Sequence, residues 1–163
     1  MDFSHFSDRE IINIYSGCIK ELKRRKIIRT NNVLGELGEY IVIDFYNKTP
    51  GLPNLSATEI GTKNIDAISR NGERYSIKST HSSTTGTFFG LEPKGSDIKD
   101  KQLFEYLVVC VFDDDCEVFA IYEISWEVFI KYKHWHSRMN AWNLILNKEV
   151  KQNSKILYEK SSL

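Results

Sequence analysis

The hydrophobic residues of this chain change their spacing part-way along it, and this change restricts the fold more than any other feature. Up to about residue 48 they recur every three or four positions, which is the period of an amphipathic helix. From about residue 62 they alternate with polar residues or form short apolar runs, which is typical of β-strands. We therefore expect an α/β (α+β) fold in which helices flank a central mixed β-sheet.

Two helices are predicted in the N-terminal third. Ser7 and Glu10 have the spacing of a capping box, which predicts a helix from Asp8 to Lys26. A second helix follows and ends before the cluster Thr49-Pro50-Gly51. Its buried stripe is expected at Leu34, Leu37, Ile41 and Phe45.

Strands are predicted over the rest of the chain, together with one short helix that Ser125 caps. Asn71-Gly72 is a strong hairpin signal. A polar stretch from His81 to Gly90 is expected to be irregular, and Trp135 and Trp142 are expected to share one buried helical stripe. The strands are expected over Thr62–Ser69, Arg74–Thr80, Phe104–Phe112, Val118–Ile124 and Ile156–Tyr158, with helix or strand at Ala141–Leu146.

Length and composition bound the organisation of the chain. With 163 residues, 41% of them hydrophobic, one core is expected, so residues 1–163 are predicted to form a single domain. Within it, residues 1–30 form an N-terminal helix that is a candidate dimerisation element. We find no apolar run near the ~20 residues of a membrane span and no signal-peptide pattern. The three cysteines are widely spaced, and these features together predict a cytoplasmic protein.

Charge is distributed unevenly although the net charge is zero. Lys plus Arg and Asp plus Glu each total 22, which excludes a strongly basic nucleic-acid-binding chain. Six basic residues nevertheless lie between Lys20 and Arg29 against one acid, and seven lie from Lys131 onward against two acids. Such segregation can give a neutral protein one positive face, although ordinary solvated helix faces would show the same pattern.

The predicted hairpin carries the candidate chemistry. Asp66 lies on its first arm, and Ser76 and Lys78 lie on its second. A three-residue loop at Asn71–Glu73 would place Asp66 opposite Lys78, with Ser76 on the same face. A two-residue loop would instead separate the three side chains. Grouped together, a carboxylate and a lysine can hold a hard cation and position a water molecule, as phosphodiester hydrolysis requires.

These residues resemble the PD-(D/E)xK nuclease superfamily, and their order and spacing are similar to those of small type II restriction endonucleases. The matching positions are Glu39 on the helix before the sheet, Asp66, and Lys78 of Ser76-Ile77-Lys78. The resemblance implies a restriction-endonuclease-like fold and a metal-dependent DNA endonuclease. Ser76 departs from the pattern, since the superfamily usually has an acid or glutamine there.

The resemblance also implies ligands and partners. Asp66, Glu39 and the backbone carbonyl of Ile77 would bind Mg²⁺, with Mn²⁺ as a possible substitute; whether Glu36 or Glu39 faces the metal is left open. Lys78 would act in catalysis and Ser76 would assist. Double-stranded DNA is the expected substrate of a homodimer, and the alternative is a weak or inactive DNA-binding module. DNA contacts are expected from His81, Ser82, Ser83, Thr84, Lys131, Lys133, His134, His136 and Arg138.

Overall fold

The structure is a computed structural model that describes residues 2–59 and 61–161. Within them the chain forms four α-helices, eight β-strands and one 3₁₀ turn at Ser137–Met139. The helices are α1 (Asp8–Arg24), α2 (Val33–Lys48), α3 (Trp126–Tyr132) and α4 (Lys148–Gln152). The strands are β1 (Leu55–Ala57), β2 (Ala67–Ser69), β3 (Arg74–Thr80), β4 (Tyr106–Phe112), β5 (Val118–Ser125), β6 (His134–His136), β7 (Ala141–Asn143) and β8 (Lys155–Glu159).

Six of the described strands form one mixed sheet in the order β1-β2-β3-β4-β5-β8. Strands β3 and β4 run parallel, and the other neighbouring pairs in this sheet are antiparallel. Strands β6 and β7 form a separate two-stranded sheet. The prediction of a mixed α/β fold around a central mixed sheet is therefore confirmed.

Both faces of the sheet are covered. The central strand β4 is apolar along its whole length, which is typical of a strand that is buried on both sides. Successive side chains of a strand point to opposite faces. Val108 lies in the hydrophobic cluster of the α2 face, together with Val42. Its neighbour Val109 lies in the cluster of the other face, together with Phe129 of α3. Helix α2 is thus fixed on one face of the sheet and α3 on the other.

Helix α1 begins as its sequence predicts. The Ser7 hydroxyl accepts a hydrogen bond from the Glu10 N–H at 3.4 Å, and the Glu10 carboxylate accepts one from the Ser7 N–H at 2.8 Å. These reciprocal bonds satisfy two N–H groups at the helix start. The helix ends at Arg24, two residues before the predicted end, and Lys26 then has a left-handed φ of 60°.

The buried face of α2 differs from the predicted stripe. Val42 and Tyr46 are fully buried, whereas the four predicted positions are only partly buried: Leu34, Leu37, Ile41 and Phe45. The reason is that α2 comes closest to the sheet at Gly38, which lies directly against Ser79 of β3. The face centred on Gly38, Val42 and Tyr46 therefore meets the sheet, and the predicted stripe lies beside it.

Gly38 allows this close packing because it has no side chain. A Cβ atom at this position would lie 1.9 Å from the Ser79 Oγ and 3.1 Å from the Ser79 Cβ. The Ser79 Oγ is itself buried and has no hydrogen-bond partner among the described residues. Helix and strand therefore pack closely here, and a larger residue at position 38 would force Ser79 to shift.

We expect Gly38→Ala to lower the free energy of unfolding by about 2 kcal/mol, because overpacking outweighs the helix propensity that alanine adds. Urea denaturation measures this change. Gly17→Ala is the matched control: nothing lies within 4 Å of a Cβ there, so it should stabilise α1 by about 0.5–1 kcal/mol. In a Ser79→Gly background the Gly38→Ala penalty should largely disappear. An unchanged penalty in that background would contradict the contact.

The tryptophan prediction was wrong. Trp135 and Trp142 are opposite residues of the antiparallel strands β6 and β7, and their ring centroids are 5.1 Å apart in an edge-to-face arrangement. The 3₁₀ turn between the strands ends at Asn140, which has a left-handed φ of 45°. A spacing of seven residues therefore comes from a tight hairpin here and not from two turns of helix.

None of the helices in the described part of the chain combines the length and the apolar character that a membrane span needs.

Candidate active site

The β2–β3 hairpin has a register that neither sequence alternative anticipated. Ala67 pairs with Tyr75, and the connection is the three-residue loop Arg70–Gly72. This register is shifted by two residues from the predicted pairing, and it brings Asp66 beside Ser76 instead of directly opposite Lys78. Because a shift of two keeps side chains on the same face, the predicted grouping survives the change of register.

Asp66 lies at the point where β2 and β3 separate. Its Oδ2 accepts a hydrogen bond from the Ile77 N–H at 2.6 Å and a longer one from the Ser76 hydroxyl at 3.3 Å. Both bonds end on one oxygen, so Oδ1 is the atom that can reach a further ligand. The N–H and C=O of one strand residue point to the same neighbouring strand, so the Ile77 carbonyl also faces the gap between β2 and β3.

Glu39 approaches the same place from α2. Its carboxylate pairs with the Arg29 guanidinium at 3.2 Å, and its side chain is 26% exposed. Burial and then the nearby charge of Asp66 raise the pKa of Glu39 to about 7, although Arg29 and Lys78 act in the opposite direction. Glu39 and Asp66 line the same cleft. Helix and hairpin thus bring two carboxylates together.

Glu36 has a different role from Glu39. Its carboxylate is buried and accepts hydrogen bonds from the backbone N–H groups of Arg29 and Thr30. Burial by itself raises the pKa of Glu36, but these donors lower it below the ordinary value. Glu36 therefore fixes the loop before α2, and Glu39 is the glutamate that faces Asp66.

Lys78 supplies positive charge beside the two carboxylates. It is half-buried on β3, and its Nζ lies 5.2 Å from the centre of the Phe88 ring, close enough for a cation–π contact. Its charge acts to lower the pKa of Glu39, against the larger effects of burial and of Asp66. Two carboxylates therefore meet at one cleft, from α2 and from the start of β2, and Lys78 lies on β3 outside the lining of that cleft.

The two carboxylates line a cleft of about 170 Å³, together with Arg29, Thr58 and Thr62. Ser76 does not line it, because it is completely buried and its hydroxyl faces Asp66. Among residues 2–59 and 61–161, no three His, Cys, Asp or Glu side chains form a ready metal cluster. Glu36 and Glu59 also line the cleft, and the Glu36 carboxylate is engaged by backbone N–H groups. The carboxylates that the cleft offers to a cation are therefore those of Glu39, Asp66 and Glu59.

The four polar residues predicted to contact DNA after β3 form a structured loop. The hydroxyl of Thr80 accepts a bond from the Ser82 N–H at 3.0 Å and donates one to the Thr84 carbonyl at 2.8 Å. His81 lies 3.0 Å from the Asp113 carbonyl through its Nδ1, and Ser83 is exposed. His81, Ser82 and Ser83 remain solvent-accessible, whereas Thr84 is partly buried.

The five C-terminal residues predicted to contact DNA divide into two groups. Lys131, His134 and Arg138 are exposed, and His136 is partly buried with its Nδ1 accepting the Met139 N–H. Lys133 differs, because its ammonium pairs with Asp100 and lies 4.0 Å from the centre of the Trp142 ring. With 11% of its side chain exposed, it holds the fold together, and we leave it out of a DNA-contacting surface.

Two residues of the site escaped the sequence analysis. Arg29 was grouped with the basic segment Lys20–Arg29. Its ion pair with Glu39 depends on the path of the loop before α2, and hydrophobic periodicity does not predict that path. Phe88 lies in the stretch expected to be irregular, yet it is buried beneath Lys78. The pair Phe88-Phe89 within a polar stretch was the signal that part of this loop is core.

Comparisons with known proteins add no assignment: no protein-family model matches the chain, and no curated protein matches it significantly.

Proposed function

We propose that the chain is a metal-dependent DNA endonuclease with a restriction-endonuclease-like fold. One observation carries the proposal: Glu39 and Asp66, which lie far apart in the sequence, line one cleft, and the charge of Lys78 acts on Glu39. The same three positions match the PD-(D/E)xK pattern. A helical glutamate, an acid beside a strand and a lysine on the next strand are the groups that this chemistry uses.

The sheet order supports the same proposal. The three strands β1, β2 and β3 are antiparallel, and the next strand β4 pairs parallel with β3. Helix α2 precedes them and packs on β3. This arrangement has Lys78 in the interior strand β3 and Asp66 immediately before the interior strand β2.

The donors of the cleft fit a hard divalent cation. Mg²⁺ is usually held by one or two carboxylates together with waters and substrate phosphate oxygens. Asp66 and Glu39 supply two carboxylates. Burial and then repulsion by Asp66 raise the pKa of Glu39, and a bound cation would offset both effects. When bound, Mg²⁺ or Mn²⁺ would supply an activated water and neutralise charge on the phosphate.

The other residues have supporting roles. The Lys78 ammonium positions the attacking water and stabilises the negative charge that develops on the phosphate. The Ser76 hydroxyl and the Ile77 N–H orient Asp66 through its Oδ2. Arg29 balances part of the Glu39 charge while no cation is bound.

DNA would be contacted by exposed groups outside the cleft. His81, Ser82 and Ser83 after β3 and the exposed basic residues Lys131 and Arg138 provide such groups. A restriction role would make the chain a cytoplasmic homodimer acting on a symmetrical duplex site, with one cleft for each strand.

A catalytically inactive DNA-binding module is the second candidate, and Ser76 favours it. A completely buried, neutral hydroxyl stands where the superfamily usually has an acidic or amide side chain. The cleft then has one carboxylate fewer to hold a cation, so its metal affinity would be low. This candidate has the same fold and the same DNA-contacting surface and lacks only the catalytic activity.

Cleavage of mixed plasmid and genomic DNA, with Mg²⁺, Mn²⁺ or EDTA, separates these candidates. We expect cutting with either metal and none with EDTA. Discrete fragments support a sequence-specific enzyme, and smearing or nicking supports a nuclease without the restriction role. Binding without cutting, weakened steeply by salt, supports the inactive module. Neither cutting nor binding at low salt overturns both candidates.

A further inference from the structure

A second cavity adjoins the candidate active-site cleft and shares the Arg29–Glu39 ion pair with it. Its volume is about 280 Å³, and Glu36 is the third residue that lines both spaces. The rest of its wall comes from α2, from β1 and from the loop between α1 and α2. Because pockets for drug-sized ligands measure about 300–1,000 Å³, a cavity of this size suits a smaller group.

The loop that forms one wall of this cavity is held in place by the fold itself. Ile28 at its centre is completely buried. The buried Glu36 carboxylate of α2 accepts hydrogen bonds from the backbone N–H groups of Arg29 and Thr30. A buried carboxylate is costly unless such donors satisfy it, so the loop and α2 fix each other. The cavity therefore exists before a ligand arrives, as is usual for a binding site.

The cavity offers an aromatic ring and aliphatic side chains to a ligand. Tyr40 follows Glu39 on α2, lines the cavity and is 47% exposed, so its ring is open to a ligand. Ile27 and Ile43 line the cavity as well. An open aromatic ring beside aliphatic walls is a surface on which a flat, apolar-faced group stacks.

Two polar side chains of the wall already have partners, and one has donors to spare. The Asn47 amide bonds the backbone of β1 through both its oxygen and its nitrogen, at 2.8 and 3.1 Å. Asp44 pairs with Lys48 at 2.9 Å. The ion pair of Arg29 with Glu39 uses one of the five N–H donors that a guanidinium carries. The cavity therefore provides a stacking surface, with a cation at its boundary to the cleft.

We infer that this cavity binds one unpaired nucleobase of the strand that is cut, stacked on Tyr40. Each phosphate of a strand is linked through a sugar to a flat base, so the cavity lies where the base of a nucleotide bound in the cleft is expected. Arg29 at the boundary faces the phosphate. A base leaves a duplex only at a cost in free energy, which is least where it is already unpaired. The inference rests on the proposed nuclease and names its substrate class: DNA that is single-stranded or mismatched at the cut site.

Fluorescence anisotropy with labelled DNA tests the inference. All chains carry Lys78→Met, so that the DNA stays uncut in Mg²⁺. Tyr40→Ala should raise the dissociation constant of a single-stranded oligothymidylate about tenfold, because the stacking of one base is lost. Tyr40→Phe keeps the ring and should bind like the parent chain. Tyr15→Ala is the control, because Tyr15 is 64% exposed on α1 and lies outside the cavity. For a fully paired duplex of the same length, Tyr40→Ala should change the dissociation constant less than about twofold.

The outcomes separate this inference from the proposed function. Binding of both DNAs without any effect of Tyr40→Ala overturns the inference and leaves the proposed nuclease standing. An equal loss for strand and duplex overturns it as well, because the ring would then contact paired DNA. Absence of binding to either DNA at low salt overturns the inference and the proposed function together.

Filling the cavity is an independent test. Ala57 of β1 lines it, so a tryptophan there would occupy the space of a base. Ala57→Trp should weaken oligothymidylate binding as Tyr40→Ala does. Ser56→Trp is the matched control, because successive side chains of a strand point to opposite faces and Ser56 does not line the cavity. Unchanged binding by Ala57→Trp, or equal weakening by both variants, contradicts the inference.

Photocrosslinking identifies the residue against which the base lies. An oligothymidylate that carries 5-iodouracil at each position in turn is irradiated in the complex, and the linked peptides are identified by mass spectrometry. We expect an adduct at Tyr40 that is absent from Tyr40→Ala. Adducts found only at residues outside the cavity would overturn the inference.

Discussion

Asp66→Asn and Lys78→Met are each expected to reduce metal-dependent DNA cleavage by about 100-fold or more. Asn keeps an oxygen for the Ile77 N–H but loses the negative charge that holds the cation. Met keeps much of the length and the apolar stem of Lys78 but removes the charge that stabilises the phosphate. Initial rates of plasmid cleavage with Mg²⁺ in excess measure both losses.

Matched controls separate a lost active site from a lost fold. Asp114→Asn and Lys101→Met make the same chemical changes at exposed positions and should cut like wild type. Circular dichroism and thermal unfolding of Asp66→Asn and Lys78→Met should stay close to wild type. Full cutting by either of these two variants would rule out the site, and the cutting would then be traced to a different group or to a contaminant.

Glu39→Gln is expected to remove a pH-dependent loss of stability. The folded-state pKa of about 7 lies above the ordinary value of 4.5, so folding favours the protonated form. The stability that Glu39 contributes is complete below about pH 4.5 and is lost as the pH rises through 7. At pH 8 the wild type should therefore be less stable than Glu39→Gln by about 3 kcal/mol, and near pH 4.5 this difference should vanish.

Urea denaturation at a series of pH values measures this difference. Asp44→Asn is the control on the same helix: it removes a charge from an exposed pair with Lys48 and should change stability by less than about 1 kcal/mol throughout. Adding Mg²⁺ at pH 8 should stabilise the wild type and not Glu39→Gln, because a bound cation stabilises only a fold that holds it. A pH-independent difference would show that the pKa of Glu39 is not raised in the folded protein.

Local signals in the sequence predicted the secondary structure well where they were strong. The capping box at Ser7 and the cap at Ser125 begin helices in the structure, and β3 has the predicted bounds Arg74–Thr80. The predicted first strand was too long: it begins at Ala67 and not at Thr62. Tertiary contacts set such limits, because a strand lasts only as long as its neighbour pairs with it.

The candidate site was predicted in its members but not in its geometry. Asp66, Lys78 and Glu39 could be named because residue type and spacing are visible in a sequence. The hairpin register depends on hydrogen bonding around Ser69, so the loop that sets it could not be chosen from the sequence. The different roles of Glu36 and Glu39 follow from a loop that folds back on α2, which periodicity cannot describe.

Asp66 also completes the backbone hydrogen bonding of β3. The ladder between β2 and β3 ends at the pair Ala67–Tyr75, and beyond it the Asp66 carboxylate takes the place of a strand as acceptor for the Ile77 N–H. Removing that side chain entirely would therefore disturb the sheet as well as the chemistry. For capturing an uncleaved DNA complex, Lys78→Met is the better choice, because it leaves the hydrogen bond from the Ile77 N–H to Asp66 and both carboxylates in place.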